Sequence, residues 1–589
     1  MRTASINKKR VFCIAIAICV ANVALGQLQE EWVVRYDGPG AGQDIARVVT
    51  TDSAGNVYVA GSTYLAYDEH NYLTQKYDTN GNLLWQRQFS GVLYGPEVPM
   101  YIAVDGADNV YVTGSTLGPL FPSRAFLTIK YDSNGNLLWS RIDAPAYLGT
   151  TPTGFVLADD GSMIVTGHTT EELGDKWMVT IKYDTDGTRL WLRRYRDGSQ
   201  TNSAAATADS QGNVYVTGVT GFDYLIVKYS SSGTQLWVRR YDTYGWPSSM
   251  TVDNSGDLYV AGWGGGRNYL TIKYDSDGNL LWERSFDGGV GVDEATAIAT
   301  DSDGFVFVTG FVTTSGAGRD YATLKYDSLG TLLWSKSYDG PASGDDTARR
   351  MAVDGAGNVY VTGDSEGIGT GIDYATLAYD ADGNLVSEMR YNGPGNRTDI
   401  SRAIAVDSQG NVFVTGDSNG SGTGEDFVTI KYSQVSDVVL PDSFSLFRGI
   451  LTGGGLSDLL ASDDSWLRVR PGITLNQAER QVQLIVVGTA PTETPSELRI
   501  RVEAHAEINN IGQWIELWNY DTSSWEEVDF MIATLADSIV EVSITVDPGR
   551  FIEAGTKQMK AKISYKEAGI VLFFPWLISF DQTVWVIIP

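Results

Sequence analysis

The stretch GNVYVTG, at Gly357 to Gly363, recurs along most of the chain, and it constrains the fold more than any other feature. Variants begin at Gly55, Asp108, Gly161, Gly212, Gly256, Gly304, Gly357 and Gly410. Three further elements keep step with it. A (T/V)(I/L)KYD-like element places Tyr at 77, 131, 183, 229, 274, 326, 379 and 432. A GNLLW-like element places Trp at 85, 139, 191, 237, 282 and 334, with Ser387 in the next slot. A run of small residues ending in Asp, such as Ala295 to Asp301 or Arg402 to Asp407, precedes each GNVYVTG. Alternating β-formers such as Val359, Tyr360, Val361 and Thr362 make each element a short strand. The DxxGN spacing between them, as in Asp407 to Asn411, places Gly where a hairpin turn needs positive φ and Asp where its carboxylate caps the turn. The high Gly and Tyr counts, 65 and 31 in 589 residues, follow from this pattern.

Four antiparallel strands per unit, repeated at this period, define propeller blades. With strands named A (small-residue run), B (GNVYVTG), C (KYD) and D (GNLLW), the last unit has A, B and C but no D. Glu31 to Tyr36, near the start, is a lone D-type strand carrying Trp32. The frame predicts that this strand completes the unit begun near residue 400, closing the ring without an open edge. The expected fold class is all-β: an eight-bladed β-propeller over 27–433, with seven blades as the alternative. Small residues on strand A suit an innermost strand crowded about an axis. The recurrent Trp suits a plate wedged between neighbouring blades, and Ser387 predicts a weaker contact at its blade.

Through AVDxxGNVYVTG, TIKYD and GNLLW, residues from about 31 to 433 resemble the bacterial β-propeller repeat family called SBBP. The resemblance implies a secreted or cell-surface propeller and carries no catalytic residues. More distantly, YDxxGNLLW is similar to the tryptophan-docking repeat of eight-bladed quinoprotein dehydrogenases. Those enzymes use a vicinal Cys pair that this chain lacks after its leader.

Arg2, Lys8, Lys9 and Arg10 precede the uncharged apolar run Val11 to Leu25, and Ala24-Leu25-Gly26 offers a cleavage site before Gln27. Residues 1–26 therefore read as a signal peptide, and the destination as secreted, extracellular or periplasmic. Both cysteines, Cys13 and Cys19, lie inside it, so cleavage leaves no thiol chemistry and no disulfide. With 43 basic and 72 acidic residues the formal charge is −29, which argues against nucleic acid and anionic membrane surfaces as partners.

After a linker at 434–441 the repeat stops. Strands are expected at Leu467 to Arg470, Val482 to Val487, Glu497 to Ala506, Trp514 to Tyr520, Ile539 to Val546 and Met559 to Tyr565, the pattern of a β-sandwich or jelly roll over 442–589. Glu516 to Tyr520 followed by Ser524-Trp525-Glu526 resembles galactose-binding-like sandwiches. Ile570 to Pro589 reads as two buried strands, because Pro575, Asp581, Gln582 and Thr583 interrupt it as a membrane span.

Chemistry is sparse. The three histidines, His70, His168 and His505, are scattered, and no HExxH, GxSxG, P-loop or CxxC occurs. No catalytic constellation and no resident cofactor are expected. Pairs such as Asp184/Asp186, Asp275/Asp277, Asp301/Asp303 and Asp380/Asp382 read as hairpin turns, lacking the further ligands of a calcium loop. The D–A and B–C loops should share one face. Asp44, Asp293, Asp346 and Asp399 hold matching slots before strand A, and Asp223, Asp320, Asp373 and Asp426 matching slots before strand C. These eight are the candidate site, an acidic rim able to take Ca2+ or a basic or sugar-bearing partner, with turn capping as the other reading. Leu120, Phe121 and Pro122 form a second candidate contact, at a loop tip. The functional expectation is a monomeric scaffold that binds an extracellular protein or glycan. The alternative is a carboxylate-based carbohydrate-active enzyme or a quinoprotein-like oxidoreductase.

Overall fold

The computed structural model describes residues 26–588 apart from 41, 66–69, 92–96, 118–123, 145–148, 159, 172–173, 199, 316–317, 436–437, 440–441, 449, 454–466, 472–479, 491–494, 496, 507–510, 533–537, 545 and 568–577. The signal peptide and the Leu120 to Pro122 tip lie outside the described residues, as does the first part of the apolar C-terminal stretch. Two compact units emerge, Gln27–Gln434 and one containing Val435–Pro589. Among the described residues the regular structure is strand throughout, apart from the 3-10 turn Pro548–Phe551.

The first unit contains eight four-stranded sheets. Seven are up-and-down runs of consecutive strands, numbered here one to seven, over residues 45–89, 98–143, 149–195, 201–241, 246–286, 294–338 and 347–391. The eighth joins Asp399–Val406, Val412–Asn419 and Glu425–Val435 to the N-terminal strand Gln27–Tyr36. The first strands of successive sheets lie side by side, and that of sheet one, Ile45–Thr51, lies against sheet eight.

The repeat's own residues explain each sheet. In sheet seven, Gly357 takes φ +80, a conformation that costs other residues free energy. Asp354 caps this turn: its Oδ1 accepts from the Ala356 and Asn358 amides, and its Oδ2 from the Asn358 side chain. The Tyr360 hydroxyl donates to the same Oδ2 at 3.0 Å, so Asp, Gly, Asn and Tyr of the motif form one closed unit. Val359 and Val361 are fully buried. Gly363 must be Gly, because a Cβ would strike the Thr347 carbonyl of the adjoining strand. The DxDG pairs cap turns in the same way: Asp184 Oδ1 accepts from Asp186 and Thr188, and Asp380 Oδ1 from Asp382 and Asn384.

Apolar clusters join neighbouring sheets: Val57 and Val59 of sheet one pack with Phe413 and Phe427 of sheet eight. Seven Trp rings bolt each outer strand to the next sheet. From Trp32 to Trp334, each Nε1 donates to a carbonyl in the next sheet's last turn, at 3.0 to 3.2 Å. The ring lies against a positive-φ Gly, as Trp334 does on Gly383. Sheet seven has Ser387 instead, and the reason is topological. Its neighbour, sheet eight, has no such turn, since the chain enters and leaves there. The slot goes to Leu28, which is buried and whose amide donates to Ser387 Oγ at 2.7 Å.

The second unit holds a five-stranded sheet and a six-stranded sheet. One apolar core draws on both, with Leu484, Val486 and Ile563 from the first and Val469, Ile500 and Trp585 from the second. Leu467–Arg470 and Glu497–Ala506 match the sequence expectation, and the other expected strands shift by up to three residues at either end. Ser443–Arg448, Ile450–Gly453 and Ser524–Ile532 are strands the pattern did not announce. Val438–Val439, read as linker, pairs with Val586 and Trp585. Ile578–Ile588 is a single strand at the heart of the six-stranded sheet, between Leu467–Arg470 and Glu497–Ala506.

Candidate functional site: an arginine-lined axial cavity

The eight expected rim aspartates do not form an exposed rim. Asp44, Asp293, Asp346 and Asp399 are fully buried, and each closes its own sheet. Asp399 Oδ2 accepts from the Gly393 amide at 2.6 Å and its Oδ1 from the Asn419 amide at 2.9 Å. Asp44 does the same with Gly38 and Tyr64, Asp293 with Gly288 and Thr313, and Asp346 with Gly340 and Glu366. Their role is to tie the loop before the first strand to the end of the second. Burial pushes the Asp44, Asp346 and Asp399 carboxyls above their ordinary values. Sheet two carries Glu97 in this slot, a substitution that a search for Asp passes over; its Oε1 accepts from Gly91 and from Thr116 Oγ1.

The second set is also largely internal. Asp373 and Asp426 are neutralised by Arg390 at 3.0 Å and Arg35 at 2.9 Å, arginines on their own sheets' outer strands. Asp223 is half-buried at the start of Asp223–Tyr229. Asp320 differs. The register that pairs Ala375 with Arg390 pairs Ala322 with Ser337, so sheet six has no guanidinium in this position. Asp320 is buried, its Oδ2 accepts from Thr314 Oγ1, and its Oδ1, like those of Asp373 and Asp426, has no hydrogen-bond partner. It gathers with Asp346 and the exposed Asp339, their ligand atoms within 4.8 Å of one another. Burial raises the Asp320 carboxyl.

The pattern of small residues on first strands did not reveal what faces the axis. In every sheet the pairing of the first two strands skips one residue, a β-bulge. The skipped residues are Arg47, Met100, Thr153, Ala204, Ser248, Thr296, Arg349 and Arg402. A bulge re-aims the side chain it carries. Five of these eight, with Thr347 and Arg350, line a cavity of about 210 Å³. The cavity draws on sheets one, two, six, seven and eight, and Arg350 of sheet seven interacts electrostatically with Tyr101 of sheet two. It therefore lies across the axis rather than in a seam between two neighbours.

Four arginines converge here in a protein of net charge −29. Two have carboxylates from the second strand of their own sheet. Arg349 Nε donates to Asp364 Oδ2 at 2.7 Å, and Arg402 Nε donates to Asp417 Oδ1. The Arg349 charge is held despite burial, through the Asp364 hydrogen bond. Arg47 has no such partner. The register position of Asp364 and Asp417 is held in sheet one by Ser62, whose hydroxyl donates to the Glu97 carbonyl at 2.9 Å. Arg47 Nε is buried without a hydrogen-bond partner. Burial first, and then the neighbouring Arg402, hold this guanidinium below its ordinary value, with Asp417 opposing them at longer range. Arg350 is exposed to the cavity, and the protein crowding its surroundings lowers it also. The sequence signal was there in the runs IARVV, TARRM and ISRAI, where Arg interrupts the small-residue pattern.

Two stretches of the chain, residues 340–369 and 390–422, match the model of a β-propeller repeat, SBBP. The chain carries SBBP β-propeller repeats. They cover the first two strands of the sheets that contribute Arg349, Arg350 and Arg402, and with them GNVYVTG at Gly357 and its variant at Gly410, so the resemblance read from that element stands. No curated protein matches the chain. Among solved structures, a protein of unknown function from Bacteroides caccae is 12% identical, covering 50% of this chain and 94% of its own, with a TM-score of 0.31. The β-propeller domain of the Trilobed protease from Pyrococcus furiosus, described as having an open velcro topology, is 11% identical over 57% of this chain and 94% of its own, with a TM-score of 0.35. A gluconolactonase from Xanthomonas campestris is 16% identical over 47% and 96%, with a TM-score of 0.25.

Proposed function

We propose that this chain is an exported, non-catalytic binding scaffold: an eight-bladed propeller closed by its N-terminal strand, followed by a β-sandwich. Its partner is a glycan, free or carried on an extracellular protein, met on the face where the D–A and B–C loops gather. The observation that carries this reading is a group of aromatic side chains left in solvent on that face by sheets four and five. Phe222 and Tyr244 are 53% and 63% exposed with ring centroids 4.6 Å apart, and Trp246, paired in register with Trp263, is also exposed. Aromatic rings outside any core, beside loops rather than along a strand edge, offer apolar faces for stacking. A glycan array with the full chain tests it. Binding that Tyr244→Ala and Trp246→Ala each weaken is the expected result, and binding insensitive to both variants removes this face as the address.

A second reading, calcium at sheet six, is favoured by one observation: Asp320 lacks the arginine that its counterparts Asp373 and Asp426 hold. Asp320, Asp339 and Asp346 would then receive a hard cation in place of the guanidinium. A calcium titration should raise Tm in the native chain and not in Asp320→Asn. An equal response in both variants, or none in either, refutes this reading.

A further inference from the structure

We propose that the axial cavity binds a small anion, a carboxylate or another oxyanion, held by Arg47 with Arg350 and Arg402. The proposal rests on the scaffold reading above and names the ligand chemistry its centre would take. Three observations support it. The cavity gathers four guanidinium groups, of which two are hydrogen-bonded to carboxylates, inside a strongly acidic chain. Burying a cation beside others of the same sign is unfavourable unless an opposite charge is present. In sheets seven and eight the fold supplies that charge from within, as Asp364 and Asp417. In sheet one it supplies Ser62, engaged elsewhere, and leaves Arg47 Nε buried and unbonded. The missing carboxylate is therefore specific to one position out of three otherwise alike, and a ligand carboxylate would complete the set.

Geometry limits the ligand. A volume of about 210 Å³ corresponds to about seven waters at about 30 Å³ each. It accommodates a small organic acid or one acidic sugar residue, and no folded partner. Guanidinium groups suit the two oxygens of a carboxylate or sulfate, which they bind in a fork. Thr296 and Thr347 add hydroxyls, and Met100 one apolar wall.

The decisive variant adds rather than removes a group. Ser62→Asp would give Arg47 the partner that Arg349 and Arg402 already have and fill the site from within. Calorimetric titration of the full chain at low salt would use glucuronate, glucose as its uncharged counterpart, and sulfate. We expect heat with glucuronate or sulfate and none with glucose, with affinity falling at least tenfold in Ser62→Asp. Arg47→Gln guards against misfolding of the first variant and should lose affinity similarly, both variants keeping the parent Tm within a few degrees. Glucuronate alone would assign a carboxylate, sulfate alone a sulfo-oxyanion, and both a general oxyanion site. No heat with either anion, or heat unchanged in both variants, overturns the proposal. Loss of glycan binding in Tyr244→Ala alongside an unchanged Ser62→Asp would leave the scaffold reading standing and remove this one.

Discussion

Glu97 gives the chain a pH dependence that can be worked out from its surroundings. It holds the slot of Asp44 and Asp399 in sheet two, with one methylene more, and is 2% exposed. One carboxyl oxygen takes the Gly91 amide and the Thr116 hydroxyl, while Oε2 is buried with no partner. Burial is the largest influence and outweighs those hydrogen bonds, so the carboxyl is pushed up to about 7 from 4.5. The folded protein thus keeps a proton that the unfolded chain releases between pH 4.5 and 7. Since folded Glu97 binds more protons in that window, stability falls as pH rises through it and levels off above 7. The shift corresponds to about 3 kcal/mol at 1.36 kcal/mol per unit. Glu97→Gln keeps one carbonyl oxygen acceptor and cannot ionise. Urea unfolding of both proteins at pH 5 and pH 8 isolates the effect, because the remaining carboxylates cancel between them. Relative to the variant, the parent should lose about 2.5 kcal/mol on going from pH 5 to pH 8, the rest of the shift being already spent at pH 5. Parallel profiles would refute the assignment of a buried, proton-holding carboxyl here.

Further outcomes follow from the inter-sheet joints. Trp282→Ala removes a ring buried between sheets five and six and leaves the Ser328 carbonyl without its donor; a loss of about 4 kcal/mol in urea unfolding is expected. Ser387→Trp restores the repeat's consensus yet should lower Tm by overpacking, at about 1–3 kcal/mol, because no turn of sheet eight receives the ring and Leu28 already fills the slot. Deleting residues 27–36 strips sheet eight of its outer strand and exposes the edge of Glu425–Val435. Light scattering should then show self-association that the parent lacks.

The scaffold was readable because each residue of the repeat does a local job visible in the sequence. Asp354, Gly357, Asn358 and Tyr360 make one turn, and the frame of the repeat alone assigned Trp32 to the sheet begun at Asp399. The candidate site was not readable in the same way. Matching slots picked out eight aspartates before first and third strands, but spacing cannot tell whether a carboxylate faces water or two backbone amides, and seven of them are buried. The axial arginines were hidden by an average. The first strands were read by their small residues, whereas the bulge turns one residue of each strand out of that pattern and towards the axis. Arg47 sits one residue after the buried Ala46, and only the pairing register shows that it is skipped.

A ring of identical units would present the same side chain eight times around its axis, so a small ligand at the centre would meet eightfold-repeated charge. The sheets avoid this by varying the bulge residue while keeping everything around it. Ser248, Ala204 and Thr153 on one arc are small or neutral, and Arg349, Arg402 and Arg47 on three successive sheets are cationic. The positive charge is thereby confined to one side. A varied position needs an unvaried frame to be useful, since a guanidinium displaced by an ångström loses its fork geometry. The aspartate ties, the Trp bolts and the closed N-terminal strand supply that frame. The departures from the repeat fall where two causes act. Ser387 departs because the ring is closed by a strand rather than a turn. Arg47 with Ser62 departs with no such structural need, and a position that breaks a local rule and leaves Arg47 Nε without a hydrogen bond is where a contact from outside should be sought.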